Sequence, residues 1–308
     1  MRRRQPALLA GVLVSAVLTV AGCTGGGSTG PDATARGAQN ATDSSVILPT
    51  VTGAFGARPA LKFPASGPPT RLATQVVIKG AGRVVSAKDV VVADYLGQVW
   101  RGAVVDTSFD TGTRVVTKLS QLTTGWAQAL TGQQVGSRVL LSLPPSGGSN
   151  AEGKQVVGVS PTDTVVFVVD IVEAFGVDAA AQVDAVPETA AAGAVGPQVS
   201  GALGGPAGLT LPQGVLVPAD VVTTVLATGT GAPVKEGKVI GQYAGVDWTG
   251  TSIGSSWQSG TPEVFPVAPT SPTFAGLIGV PLGSRVLLQV PPSTGPAVAV
   301  VIDLVAQP

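Results

Sequence analysis

The chain has 308 residues, with 18 basic side chains balanced by 18 acidic ones and only 12% of positions charged. That length suggests about two domains, and so sparse and neutral a charge offers no basic surface for nucleic acid. With no histidine and one cysteine, Ser-His-Asp triads, His-ligated metal sites, intrachain disulfides and CxxC motifs are excluded; there is also no P-loop and no GxGxxG after a strand.

In chain order, Arg2-Arg3-Arg4 precedes an apolar stretch from Pro6 to Val20. These are the charged and hydrophobic regions of an export signal, and the apolar run is too short for a membrane span. The stretch ends in Val20-Ala21-Gly22-Cys23, which resembles the lipobox of bacterial lipoproteins. The resemblance implies that residues 1–22 are removed and that Cys23 carries a diacylglyceryl group. Two acyl chains on one residue give stable anchoring, so the expected location is extracytoplasmic, on the bacterial cell membrane. A plain secretory signal with a coincidental cysteine is the alternative. From Cys23 to Ser45 the chain is small and polar, too poor in large apolar groups to offset its ordering entropy, so 23–46 is expected to be a flexible tether. Asn40-Ala41-Thr42 fits a glycosylation sequon, a weak signal in a tether.

The remainder repeats itself. Val51-Thr52-Gly53-Ala54-Phe55-Gly56 is echoed by Val199-Ser200-Gly201-Ala202-Leu203-Gly204, an offset of 199 − 51 = 148. Tyr95 and Trp100 match Tyr243 and Trp248 at the same offset, and Gly136-Ser137-Arg138-Val139-Leu140-Leu141 recurs identically from Gly283 to Leu288. Self-similarity at a fixed spacing marks copies of one structural unit. The copies are expected at 47–175 and 199–308, with Gly176 to Gln198, rich in Ala and Gly and interrupted by Pro187 and Pro197, as a linker. The second copy lacks 14 residues after Pro291-Pro292, since the offset falls from 283 − 136 = 147 to 300 − 167 = 133.

Within the first copy, Val90 to Tyr95, Val139 to Leu143 and Thr164 to Val172 read as short β-branched or leucine-rich strands bounded by Gly or Pro. One helix is placed between Thr123 or Thr124, as N-cap, and Gly132, which suits the left-handed position after a helix. Trp126, Ala129 and Leu130 then share one face, at i, i+3 and i+4, turned toward the sheet.

Tyr95, Val105-Asp106-Thr107-Ser108-Phe109-Asp110, Gly125-Trp126, Gly136 to Leu141, Pro144-Pro145 and Thr164 to Asp170 follow one another in an order that resembles the FKBP-type peptidyl-prolyl isomerases. The resemblance covers about a hundred residues, with a weaker copy over most of the rest. It implies an α+β chain of two FKBP-like domains, each a largely antiparallel sheet curved around one short helix. It also implies a catalytic pocket of Tyr95, Asp106, Trp126 and Phe167: Trp126 as floor, Tyr95, Val105, Val115 and Phe167 as walls, and Asp106 near the substrate amide carbonyl. The Thr123 backbone N–H, with Leu122 beside it, would hold a ligand carbonyl.

Such a pocket suits prolyl isomerisation. Amide resonance sets a rotational barrier of about 18–20 kcal/mol, and an apolar, water-poor site that favours the twisted amide lowers it without nucleophile, metal or cofactor. The implied substrates are proline-containing exported polypeptides. Two walls depart from the family: Val105 and Val115 replace aromatic residues, and Ser146-Gly147-Gly148-Ser149-Asn150 lacks the family's loop Tyr. Phe109 and Val159 are expected to refill part of the space. In the second copy Gly254 replaces Asp106, Glu263 replaces Val115, Thr273 or Phe274 replaces Trp126, and Val300 replaces Phe167, so a structural or partner-binding role is expected there. A non-catalytic chaperone or binding module on the same scaffold is the rival reading. A solute-binding lipoprotein is a third, weaker one, because each repeat reads as a short closed domain.

Overall fold

The computed structural model describes residues 46–145, 159–188, 196–292 and 295–308. Cys23, the signal, the Asn40 sequon and the loop Ser146–Asn150 lie outside them. The described residues belong to one compact unit, 43–308, and among them no helix is long and apolar enough to cross a membrane.

The first half opens with a hairpin of β1 (Thr50–Thr52) and β2 (Ala60–Lys62). There follow β3 (Ala73–Ile78), β4 (Val90–Val99), β5 (Val104–Thr107), β6 (Val115–Lys118), helix α1 (Thr124–Leu130), β7 (Arg138–Leu143) and β8 (Val165–Phe175). Their sheet runs β3-β7-β8-β4-β5, with β6 also on β4, and every pairing is antiparallel. The Val-rich runs of β4 and β8 and the leucines of β7 are buried on both faces, as central strands require. One face carries Val91, Val139, Leu141, Phe167 and Val169, packed under Trp126, Ala129 and Leu130 of α1. On the other, Leu140, Val166 and Val168 are covered by Val51, Leu61, Phe63 and Trp100.

The second half repeats this plan. After β9 (Val186–Pro187) come the hairpin β10 (Gln198–Ser200) and β11 (Gly208–Thr210), then β12 (Val222–Thr228), β13 (Gly237–Asp247), β14 (Ser252–Ser255), α2 (Ser256–Ser259), β15 (Glu263–Val267), β16 (Arg285–Val290) and β17 (Val298–Ala306). The order β14-β13-β17-β16-β12 reproduces β5-β4-β8-β7-β3, with β15 on β13 as β6 is on β4.

The repeated hexapeptide holds each half together. Gly136 and Gly283 turn the chain at φ +89° and +85°, a left-handed conformation that glycine adopts without steric cost. The Ser137 and Ser284 hydroxyls accept the Gly80 and Gly229 N–H groups, both at 2.9 Å. Fully buried Arg138 forms a fork on Asp170, at 2.6 and 2.7 Å. Two more of its N–H groups donate to the Gly53 and Ala57 carbonyls, both at 2.7 Å, so the guanidinium pins the hairpin to the sheet. Arg285 does the same with Asp303, Gly201 and Gly205.

Two expectations need correction. Of the stretch read as a linker, 176–198, the described part 176–188 packs on the second half: Ala181 and Ala185 are buried, the Ala181 N–H donates to Asp303 at 3.0 Å, and β9 pairs with the edge of β12. Its alanines carry too little periodicity to signal this. The second sheet also does not curve around an α-helix at the place of α1, where only a 3₁₀ turn, Ala275–Leu277, is found. Pro272, Gly276 and Gly279 crowd that segment, and proline and glycine are the poorest helix formers.

Candidate functional site

In the first half the β4–β8 ladder brings Tyr95 and Phe167, far apart in the sequence, onto one face of the sheet. Tyr95 is anchored through its backbone: its N–H donates to the Ser108 hydroxyl at 2.9 Å, and its carbonyl accepts the Ser108 N–H at 3.0 Å. Ser108 in turn donates to buried Asp94 at 3.1 Å, and Arg114 closes the set on Asp94 at 3.3 Å. The turn after β5 is thereby fixed against β4, which brings the Tyr95 hydroxyl onto the Asp106 carboxylate as a hydrogen-bond donor. Burial first, and then the hydrogen bond and charge of Asp106, raise the Tyr95 hydroxyl above the ordinary phenol range. It therefore stays protonated and keeps donating.

Trp126 enters from α1. Thr123 is the N-cap, its hydroxyl accepting the Trp126 N–H at 3.5 Å, and Gly132 follows the helix at φ +84°. The indole is 8% exposed. Its ring lies edge-on to Phe167 at 5.0 Å and to Tyr95 at 5.9 Å between centroids, while Tyr95 and Phe167 are 6.5 Å apart. Val105, Val115, Leu122 and Val159 pack against the same cluster. Asp106 stands exposed at its rim, and Phe109 is half buried in the turn, outside the cluster. Among the described residues the Thr123 backbone N–H has no hydrogen-bond partner. No group of His, Cys, Asp and Glu there could hold a metal ion.

One residue of the site was missed in the sequence. Gly97 pairs with Phe167 across the ladder, and its bare Cα lets the phenyl ring lie across the β4 backbone. Its only sequence signal is a glycine two residues after Tyr95 inside a valine-rich strand, the pattern of a close approach.

The second concavity is filled. Gly254 faces Gly245 in the ladder as Asp106 faces Gly97, so Tyr243 has no carboxylate at that point. Phe265 takes the place of Thr117: it pairs with Val239 as Thr117 pairs with Val91, two residues back along β13 and β4 from the partners of Glu263 and Val115. Its buried ring sits 6.3 Å from Tyr243 and 5.4 Å from Phe274. Those three rings, with Val300 beside them, occupy the space that is walled in the first half. A separate open cleft of about 510 Å³, lined by Pro187, Pro197, Leu226 and Arg285 among others, lies beside the second hairpin and carries no comparable group of aromatic and acidic side chains.

The helix that faces the sheet, the three aromatic rings and the Tyr95–Asp106 pair thus lie together in the first half. A family model described as FKBP-type peptidyl-prolyl cis-trans isomerase matches residues 82–172. An FK506-binding protein of Streptomyces anulatus is 31% identical over 118 residues, covering 37% of this chain and 95% of that relative. The FKBP-type peptidyl-prolyl cis-trans isomerase FkpA of Escherichia coli strain K12 is 32% identical over 119 residues, 39% of this chain but only 42% of that protein. The crystal structure of FkpA from Escherichia coli aligns over 37% of this chain and 50% of its own, at 28% identity and a TM-score of 0.31. The chain belongs to the FKBP-type peptidyl-prolyl cis-trans isomerase family.

Proposed function

We propose that the first half, 47–175, is the catalytic domain and isomerises prolyl bonds of exported polypeptides in the concavity under α1. In this reading the second half, 199–308, is a related domain without catalytic function. The observation that carries the reading is the convergence of Tyr95, Trp126 and Phe167 beside Asp106. The proline ring packs on the indole, between Tyr95 and Phe167. The Thr123 N–H holds the carbonyl of a neighbouring residue and so fixes the backbone on one side of the rotating bond. Asp106, held by the Tyr95 hydroxyl, lies at the rim near the rotating carbonyl. Water excluded by the aromatic rings no longer stabilises the planar, charge-separated amide, and the twisted state gains relative to it.

Val105 and Val115 favour a second reading, a binding module. Each substitution of an aromatic wall by valine removes apolar contact, and the expected consequence is lower turnover than a full aromatic box would give. The lipobox resemblance at Cys23 supports action at the outer face of the cell membrane.

The test is catalysis of slow, proline-limited refolding of a model protein by the chain, with Asp106→Ala and Trp126→Ala as controls. Acceleration that both substitutions abolish supports the isomerase. Folded protein with no acceleration supports the binding module.

A further inference from the structure

The two halves touch through the same surface. Val92 and Val116 of the first half share one apolar cluster with Ile240 and Val264 of the second, and these are equivalent positions, since 240 − 92 = 148 and 264 − 116 = 148. β6 lies beside β15, its own counterpart. Contact of like surface with like is the isologous arrangement of a two-fold dimer, here formed within one chain.

Three polar contacts break the symmetry. Lys118 pairs with Glu263 at 2.7 Å, the two side chains being 20% and 26% exposed. Lys238 donates to the Val116 carbonyl at 3.1 Å, and Lys88 donates to the Ser259 carbonyl at 2.9 Å. Two of the three fall on β6. Successive residues of a strand face opposite ways, and β6 uses both faces: Val115 packs into the aromatic cluster of the first site, while Val116 lies in the contact between halves. β6 is a four-residue strand held on its other side only by β4.

We propose that the second half positions the wall of the first site: Glu263 and Lys238 clamp β6, so that Val115 stands at a fixed distance from Trp126. This rests on the reading of that concavity as the isomerase site. It also gives a reason for the glutamate at 263. A valine there would line a pocket, but Phe265 already fills it, and the carboxylate instead reaches across to Lys118.

The wall touches the proline ring whether the amide is planar or twisted, so loosening it removes uniform binding, which raises KM and leaves kcat unchanged. A merely destabilised protein would lose active molecules and lower the apparent kcat instead. The experiment measures KM and kcat on a proline-containing peptide with the full chain. Glu263→Gln is expected to raise KM about threefold and Glu263→Lys about tenfold, with kcat held within about twofold. The exchange Lys118→Glu with Glu263→Lys restores KM, and Lys88→Met, which leaves β6 alone, changes neither constant. An active wild type whose KM is indifferent to Glu263→Lys, or is not restored by the exchange, overturns the positioning role. A wild type with no activity overturns the isomerase reading, and this inference with it.

Discussion

Gly97 and Phe167 stand directly opposite each other in the β4–β8 ladder, and a Cβ added to Gly97 would come within 2.5 Å of the phenyl ring. The aromatic wall of the site therefore depends on a residue with no side chain. Because β4 and β8 are the middle of the sheet, the backbone cannot shift to make room without disturbing two ladders, and the ring must move instead.

Gly97→Val is accordingly expected to lower kcat/KM about tenfold, equivalent to about 1.4 kcal/mol of lost transition-state stabilisation. Overpacking should also cost the fold about 1–3 kcal/mol. Isomerase kinetics and urea denaturation on the same sample check both. A Gly97→Val protein with unchanged kcat/KM would mean that the position of Phe167 is irrelevant to the site.

The buried arginines give a matched pair of stability predictions. Removing one partner of a buried ion pair strands the other and costs about 3–5 kcal/mol, so Arg138→Met and Arg285→Met should each shift the urea midpoint strongly. Arg138→Met should in addition expose the segment around Gly53 to proteolysis, because two of its backbone carbonyl contacts end there. Adding Asp170→Leu to Arg138→Met should recover part of the loss, as it removes the stranded carboxylate.

The chain has only two tyrosines, and both hydroxyls are raised above the usual phenol value of 10.0: Tyr95 by burial and then Asp106, Tyr243 by burial and then Glu263. The folded state thus holds these protons more tightly than the unfolded chain. Their stabilising effect is fully present below the unfolded value and is lost as pH rises above it toward the folded values. Alkaline titration of phenolate absorbance should show less than half of the tyrosine ionised at pH 10 while the protein stays folded. In a Tyr243→Phe background, Asp106→Asn should bring Tyr95 ionisation to lower pH. If it does not move, the Tyr95–Asp106 bond is absent in solution.

Truncating the two aromatic clusters should separate their roles. Trp126→Ala removes the floor of the open site and should weaken binding of a proline peptide about thirtyfold, the scale of a binding hot spot of about 2 kcal/mol. Phe274→Ala removes a half-buried ring from a filled core and should cost stability, though less than the about 3–5 kcal/mol of a fully buried Phe, while leaving that binding within twofold. Calorimetric titration and denaturation of both variants decide it, and equal losses of binding would refute the ranking.

That Tyr95, Trp126 and Phe167 come together was legible in the sequence, because they are rare residues in fixed order. The helix around Trp126 was legible from Thr123, the spacing of Ala129 and Leu130, and Gly132, and α1 occupies that span. The repeat of Gly-Ser-Arg-Val-Leu-Leu was visible, but what its arginine grips was not: besides Asp170 or Asp303, its acceptors are backbone carbonyls some eighty residues away, which no side-chain pattern encodes. Phe265 was overlooked because the offset places it against Thr117, outside the family's pocket pattern. Only the register of β15 on β13 turns its ring inward. The packing of 176–188 was hidden for a related reason, since anchoring by Ala181 and Ala185 needs no large apolar residue.

Joining two self-complementary surfaces on one chain changes the law that governs their contact. Separate subunits meeting through patches like those around Val92 and Ile240 would part on dilution, whereas a covalent connection fixes their local concentration at about the millimolar level whatever the abundance of the protein. A scarce molecule then keeps the same active geometry as an abundant one, and its specific activity should not change with enzyme concentration.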